Sequence, residues 1–128
     1  MRIDEIDQIV IDRPPVQKKE EVPLHRPGGA TVMILNDEYT PAEVVVEAIV
    51  AGTGLSPEEA MRRMMKAHTD GWVPIASYAT RDMAETVASK IEQHARSNTR
   101  YDHYRKYMKN FQGPWPLSCE VMDADELG

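Results

Sequence analysis

Asn36, Asp37 and Glu38 stand between two apolar stretches, in ILNDEYTPAEVV (34–45). A strand-like run ends at them and a helix-like run begins after them, so neither element requires three polar residues there. Taken singly, Asn36 and Asp37 read as turn formers whose side chains bond nearby backbone. His68 closes the stretch AMRRMMKAH (60–68) and, taken singly, reads as a core histidine. Together they support a different chemistry. If two consecutive helices pack side by side, the start of the first lies near the end of the second. That brings Asn36, Asp37 and His68 around one mouth, with Ala42, Val45, Met64 and Met65 walling a cavity beneath. An apolar pocket rimmed by acceptors suits a ligand with an apolar side chain next to an ammonium.

Other chemistries find less support. Cys119 is the only cysteine and sits in an alternating strand, with no Cys–His spacing to make it a nucleophile. The histidines at 25, 68, 94 and 103 show no metal-ligand spacing. GTG at 52–54 follows a helix instead of preceding one, so it reads as a helix stop rather than a phosphate loop. No catalytic residue, metal or cofactor is expected.

The elements that must position the candidates follow from pattern. The chain has 128 residues, 41% of them hydrophobic, and a net charge of −6. This length gives one domain with a modest core. An acidic balance argues against a nucleic-acid partner, because that affinity comes largely from Lys and Arg. One cysteine excludes an internal disulfide and fits a reducing compartment. No apolar run approaches the roughly 20 residues of a membrane span. MRIDEIDQIVID lacks the basic start and apolar core of a secretory signal, and a cytoplasmic location is expected.

Residues 1–29 are rich in proline and charge and read as a flexible extension, with Ile3, Ile6, Ile9 and Val10 spaced like a short amphipathic helix. Residues 30–128 form the domain. TVMIL (31–35) predicts a buried strand. Thr40, Pro41 and Glu43 predict a helix start with a capping box, and Gly52 its end. Ser56-Pro57-Glu58-Glu59 repeats the signal for a second helix, with Ala60, Met61, Met64, Met65 and His68 on one face and Gly71 as its stop. WVPIASYA (72–79) predicts an edge or bulged strand because of Pro74. Thr80 caps a third helix whose stripe is Met83, Val87 and Ile91, flanked by Ala84, Ala88 and Ala95. PLSCEVM (116–122) alternates as a last strand, and DADELG reads as a frayed tail. The order β-α-α-β-α-β predicts an α+β sandwich, a three-stranded antiparallel sheet with helices on one face.

LNDEYTP, then MMKAHTDG, RDMAETVASKIEQHAR and PLSCEV resemble, in order and separation, the ClpS family of adaptors for Clp AAA+ proteases. The resemblance covers about residues 30–97 and 116–122. It implies a non-catalytic adaptor that binds a protein's N-terminal residue when this is Leu, Phe, Tyr or Trp. It implies that Asn36, Asp37 and His68 hold the substrate's α-amino group. An ammonium has three donors, and a carbonyl, a carboxylate and a neutral imidazole nitrogen are three acceptors. Glu38 falls at the rim and Thr40 beside the pocket, while Val45, Met64, Ala67 and Leu117 fall on its lining. Asp82 matches an acidic position facing the N-domain of the Clp unfoldase. The resemblance also implies that residues 1–29 are engaged by the protease during delivery.

Several positions depart from the family. Ala42 stands where a methionine usually screens the pocket, and Ala67 replaces a larger apolar residue. Val87 stands where the family has a lysine, and Lys90 lies one turn further along, able to substitute. The segment NTRYDHYRKYMKNFQGPW (98–115) replaces a short connection. Tyr101, Tyr104, Met108 and Phe111 share a helical face, which predicts a longer third helix or an extra helix packed on the domain. Alternatively, with Arg100, Arg105, Lys106 and Lys109, the segment offers a surface for further peptide residues, for nucleic acid, or for another partner of a ClpS-like domain uncoupled from Clp.

Overall fold

The computed structural model describes residues 29–107 and 113–123. Residues 1–28, Met108, Phe111 and the tail from Ala124 lie outside the described residues, and with them most of the extension read over 1–29.

The β-branched run ATVMIL forms β1 (Ala30–Leu35), the centre of a three-stranded antiparallel sheet ordered β2-β1-β3, with β2 Trp72–Tyr78 and β3 Ser118–Asp123. Ala30, Val32 and Ile34 enter the core. On the alternate positions Thr31 pairs with Ser77, and their buried hydroxyls bond at 2.7 Å. Pro74 behaves as its missing N–H requires: β2 is an edge strand, and the register skips Ile75 between Ala76 and Pro74. The Pro74 carbonyl instead accepts from Arg63 at 2.7 Å.

The helices are α1 (Ala42–Thr53), α2 (Pro57–Asp70) and α3 (Arg81–Ser97). Residues 42–50 of α1 are all buried, because α2 and α3 both pack on it. Its start differs from the capping box expected. Pro41 is the N-cap and no side chain caps it; Thr40 turns back to Asp37, and Glu43 is buried and bonded elsewhere. Its end is Gly54, in the left-handed region at φ 76°, rather than Gly52. Gly52 has another role. A Cβ there would fall inside contact distance of Ile91 Cγ1 and 3.3 Å from its Cδ1, so the glycine lets α1 approach α3. Alanine has the better helix propensity by about 1 kcal/mol. Overpacking should nonetheless win, and Gly52→Ala should lower stability by about 1–3 kcal/mol in urea unfolding.

The starts of α2 and α3 follow the sequence. Ser56 accepts from Glu59 N–H at 3.1 Å, Thr80 accepts from Met83 N–H at 3.2 Å, and Gly71 ends α2 at φ 92°. The α3 stripe is rotated from the one expected. Ala84, Ala88, Ile91 and Ala95 are buried, Val87 is half-buried, and Met83 is exposed. The small side chains face inward because α3 lies close on α1 and on the sheet. On α2, Ala60, Met64 and Ala67 are buried, whereas Met65 and His68 face solvent.

The segment after α3 does not prolong it. The chain leaves the helix at Asn98 and makes a short 3-10 helix over Asp102–Tyr107. Tyr101 and Tyr104 are buried, with rings 6.0 Å apart, and Trp115 is fully buried beyond them. The reading of these tyrosines as packing residues is the one this geometry supports.

Candidate functional site

The site forms where β1 leaves the sheet. Leu35 pairs with Trp72 on one side and Ser118 on the other. One residue on, Asn36 N–H donates to the Gly71 carbonyl at 2.9 Å. Gly71 ends α2, and His68 lies in the last turn of that helix. The backbone at Asn36 is therefore tied to the end of α2, the helix that carries His68. Leu117 immediately precedes Ser118 and reaches the same end of the sheet.

Asp37 organises the turn between β1 and α1. Its Oδ1 accepts from Tyr39 N–H at 2.8 Å and Thr40 N–H at 2.7 Å, and its Oδ2 accepts from Thr40 Oγ1–H at 2.9 Å. These three bonds orient the carboxylate within the turn. The turn-former reading of Asp37 is the one these bonds show. Thr40, fully buried, acts as its support.

Exposure divides the candidates by chemistry. Asn36, Glu38 and His68 are exposed and Asp37 is half-buried. Ala42, Val45, Met64, Ala67 and Leu117 are all fully buried in one hydrophobic cluster. Met65, expected in the wall, faces solvent instead, because the inward side of α2 is the Ala60-Met64-Ala67 line.

Asp82 and Lys90 sit elsewhere, on the outer side of α3. With Glu85, Thr86, Ser89 and Gln93 they line a shallow groove of about 510 Å³. Burial, with Glu92 adding to it, pushes the Cys119 thiol up to about 12, so it stays protonated near neutral pH. Among the described residues no cluster of three His, Cys, Asp or Glu side chains could hold a metal ion. No helix among them is long and apolar enough to cross a membrane.

Two residues escaped the sequence reading. Glu43 and Glu47 are 1% and 2% exposed, one turn apart on α1. Tyr104 Oη–H donates to Glu43 at 2.5 Å. Glu47 accepts from Tyr101 Oη–H at 2.5 Å, Asn98 Nδ2–H at 3.1 Å and Arg100 Nη1–H at 2.9 Å. The available signal was two carboxylates at i and i+4 in an otherwise apolar helix, facing two tyrosines at i and i+3. These bonds also account for the basic and aromatic character of the segment: Arg100 is paired with Glu47, and Arg105 lies 4.0 Å over the Trp115 ring.

The fold is a small α+β sandwich in which a polar turn follows β1 and an apolar cluster fills the core. The sequence model of the family described as ATP-dependent Clp protease adaptor protein ClpS matches residues 25–103. The chain belongs to the ClpS family, whose members are protease adaptors rather than enzymes. It is 38% identical over 73 residues to the ATP-dependent Clp protease adapter protein ClpS of Methylococcus capsulatus, a match spanning 57% of this chain and 68% of the relative. Its fold is similar to that of Agrobacterium tumefaciens ClpS2 bound to L-phenylalaninamide, with a TM-score of 0.56 and 30% identity, covering 76% of this chain and 98% of that one. The family match ends at residue 103, so Tyr104, Arg105, Trp115 and Leu117 lie beyond it.

Proposed function

We propose that this protein binds the free N-terminal residue of substrate proteins, when that residue is bulky and hydrophobic, and delivers the substrate to an ATP-dependent Clp AAA+ protease. The observation that supports this reading is the bond from Asn36 N–H to the Gly71 carbonyl, which ties the polar turn after β1 to the end of α2, the helix of His68, in a domain whose core includes Ala42, Val45, Met64, Ala67 and Leu117. The L-phenylalaninamide bound to the similar ClpS2 is a ligand of the matching kind. Phenylalaninamide has a free α-amino group, an apolar ring, and an amide where a peptide would continue. Asn36, Asp37 and His68 take the ammonium, the buried residues take the side chain, and Glu38 and Thr40 border them. Asp82 and Lys90 on the α3 groove face the unfoldase N-domain, and residues 1–29 are engaged during delivery. The reading is tested with peptides that differ only in their first residue, free or acetylated, together with capture of an unfoldase N-domain. Equal affinity for acetylated and free peptides would overturn it.

His68 offers a test of its own. In this reading its ring nitrogen accepts one of the three ammonium N–H bonds. His68→Ala should therefore weaken binding of free-terminus peptides by about 0.5–1.5 kcal/mol, the contribution of one hydrogen bond, and leave acetylated peptides unchanged. Equal affinities for free-terminus peptides in the two proteins would exclude His68 as the acceptor.

A further inference from the structure

Resting on that reading, we propose that the legs 98–107 and 113–117 form a brace between two walls of the first-residue pocket and so set its preference among large side chains. The outward leg is fastened to α1. Tyr104 bonds Glu43, the residue next to Ala42, while Tyr101, Asn98 and Arg100 bond Glu47 one turn on. All four of these α1 contacts end on carboxylates that are almost wholly buried. The return leg ends in Leu117, another wall residue, and α3 holds it through Arg96, which donates to the Leu117 carbonyl at 2.8 Å and the Trp115 carbonyl at 3.4 Å. Arg105 staples the legs together. Its guanidinium donates to the Gly113 carbonyl and lies 4.0 Å over the Trp115 ring. A chain of named contacts therefore runs from Ala42 and Glu43 through Tyr104, Arg105 and Trp115 to Leu117.

A brace of this kind matters most for side chains large enough to touch both walls. Where the walls are held, binding does not have to order them; where they are loose, the ordering cost falls on the ligand. Tyr104 and Arg105 are thus positioning residues, with no ligand contact of their own. Tyr104→Phe keeps the ring and removes the bond to Glu43; Arg105→Met cuts the staple; Arg105→Lys keeps a donor and a cation over Trp115.

The experiment measures affinities of Trp-, Phe- and Leu-started peptides on folded wild type and on these variants. Tyr104→Phe and Arg105→Met should weaken Trp and Phe by about threefold or more relative to Leu, and Arg105→Lys should restore most of the ratio. If Tyr104→Phe does not fold, Arg105→Met carries the same expectation. An unchanged Trp-to-Leu ratio, or an equal loss for all peptides, overturns the brace. A wild type indifferent to acetylation of the peptide overturns the function proposed above, and the brace with it; a discriminating wild type with an unchanged ratio in the variants overturns the brace alone.

Discussion

Asp37→Asn should weaken binding of a peptide with a free amino terminus at least about tenfold, the effect of losing a charge-assisted hydrogen bond worth about 1.5–3 kcal/mol. Asparagine is the informative substitution because of what Asp37 does within the fold. An amide oxygen can still accept from Tyr39 N–H and Thr40 N–H, which meet Oδ1 at 2.8 and 2.7 Å. The charge and the acceptor for Thr40 Oγ1 are lost. Alanine would remove all three bonds from a turn that leads into a helix without a side-chain cap, so its effect would mix binding with folding. Acetylated peptide should bind wild type and Asp37→Asn about equally poorly, since it carries no ammonium for the carboxylate to meet. Wild-type affinity in Asp37→Asn, measured by anisotropy on a variant with unchanged thermal stability, would remove Asp37 from the site.

The legibility of this chain varied with the range of the forces involved. Local signals were sound. Ser56 and Thr80 cap the helices expected, Gly71 ends α2, and Pro74 lies on an edge strand at a register shift. The polar turn of Asn36, Asp37 and Glu38 between β1 and α1 was also legible, and the bond from Asn36 to Gly71 ties it to the end of the helix that carries His68, as the proposed mouth requires. Errors arose where a distant partner outweighs a local preference. Glu43 suits a capping box, but Tyr104, 61 positions away, claims its carboxylate. Gly52 suits a helix stop, but close packing against Ile91 explains it, and the helix runs to Thr53. Met83 and Met65 are apolar enough for a core, yet Ala84 and Met64 take the inward positions beside them, leaving Met83 and Met65 exposed. Composition cannot show which of two adjacent apolar residues on a helix will face a neighbour.

Ala42→Met should reduce affinity for Ile- and Val-started peptides more than for Leu-started ones. Ala42 is fully buried at the first position of α1, within the cluster that contains Val45, Met64, Ala67 and Leu117. A methionine there adds three heavy atoms to a site with no solvent exposure. Its flexible chain has two outlets: into the space proposed for the ligand's side chain, or against neighbours that must shift. Met65 does not occupy that space in the native protein, since it faces solvent. A β-branched first residue carries its extra methyl beside the backbone, near the pocket entrance, and is stiff about its first torsion, so it cannot turn away. Leucine branches one carbon further out and can. Trp and Phe should bind the wild type well, because burying a large apolar side chain contributes about 1.5–3 kcal/mol, and should lose part of this in the variant as the pocket narrows. Overpacking should also lower stability by about 1–3 kcal/mol. Affinities are therefore compared well below the variant's melting temperature, with free-terminus peptides beginning Leu, Phe, Trp, Ile and Val. A uniform loss would place the methionine against neighbours rather than in the pocket, and an unchanged ranking would show that Ala42 does not govern selectivity.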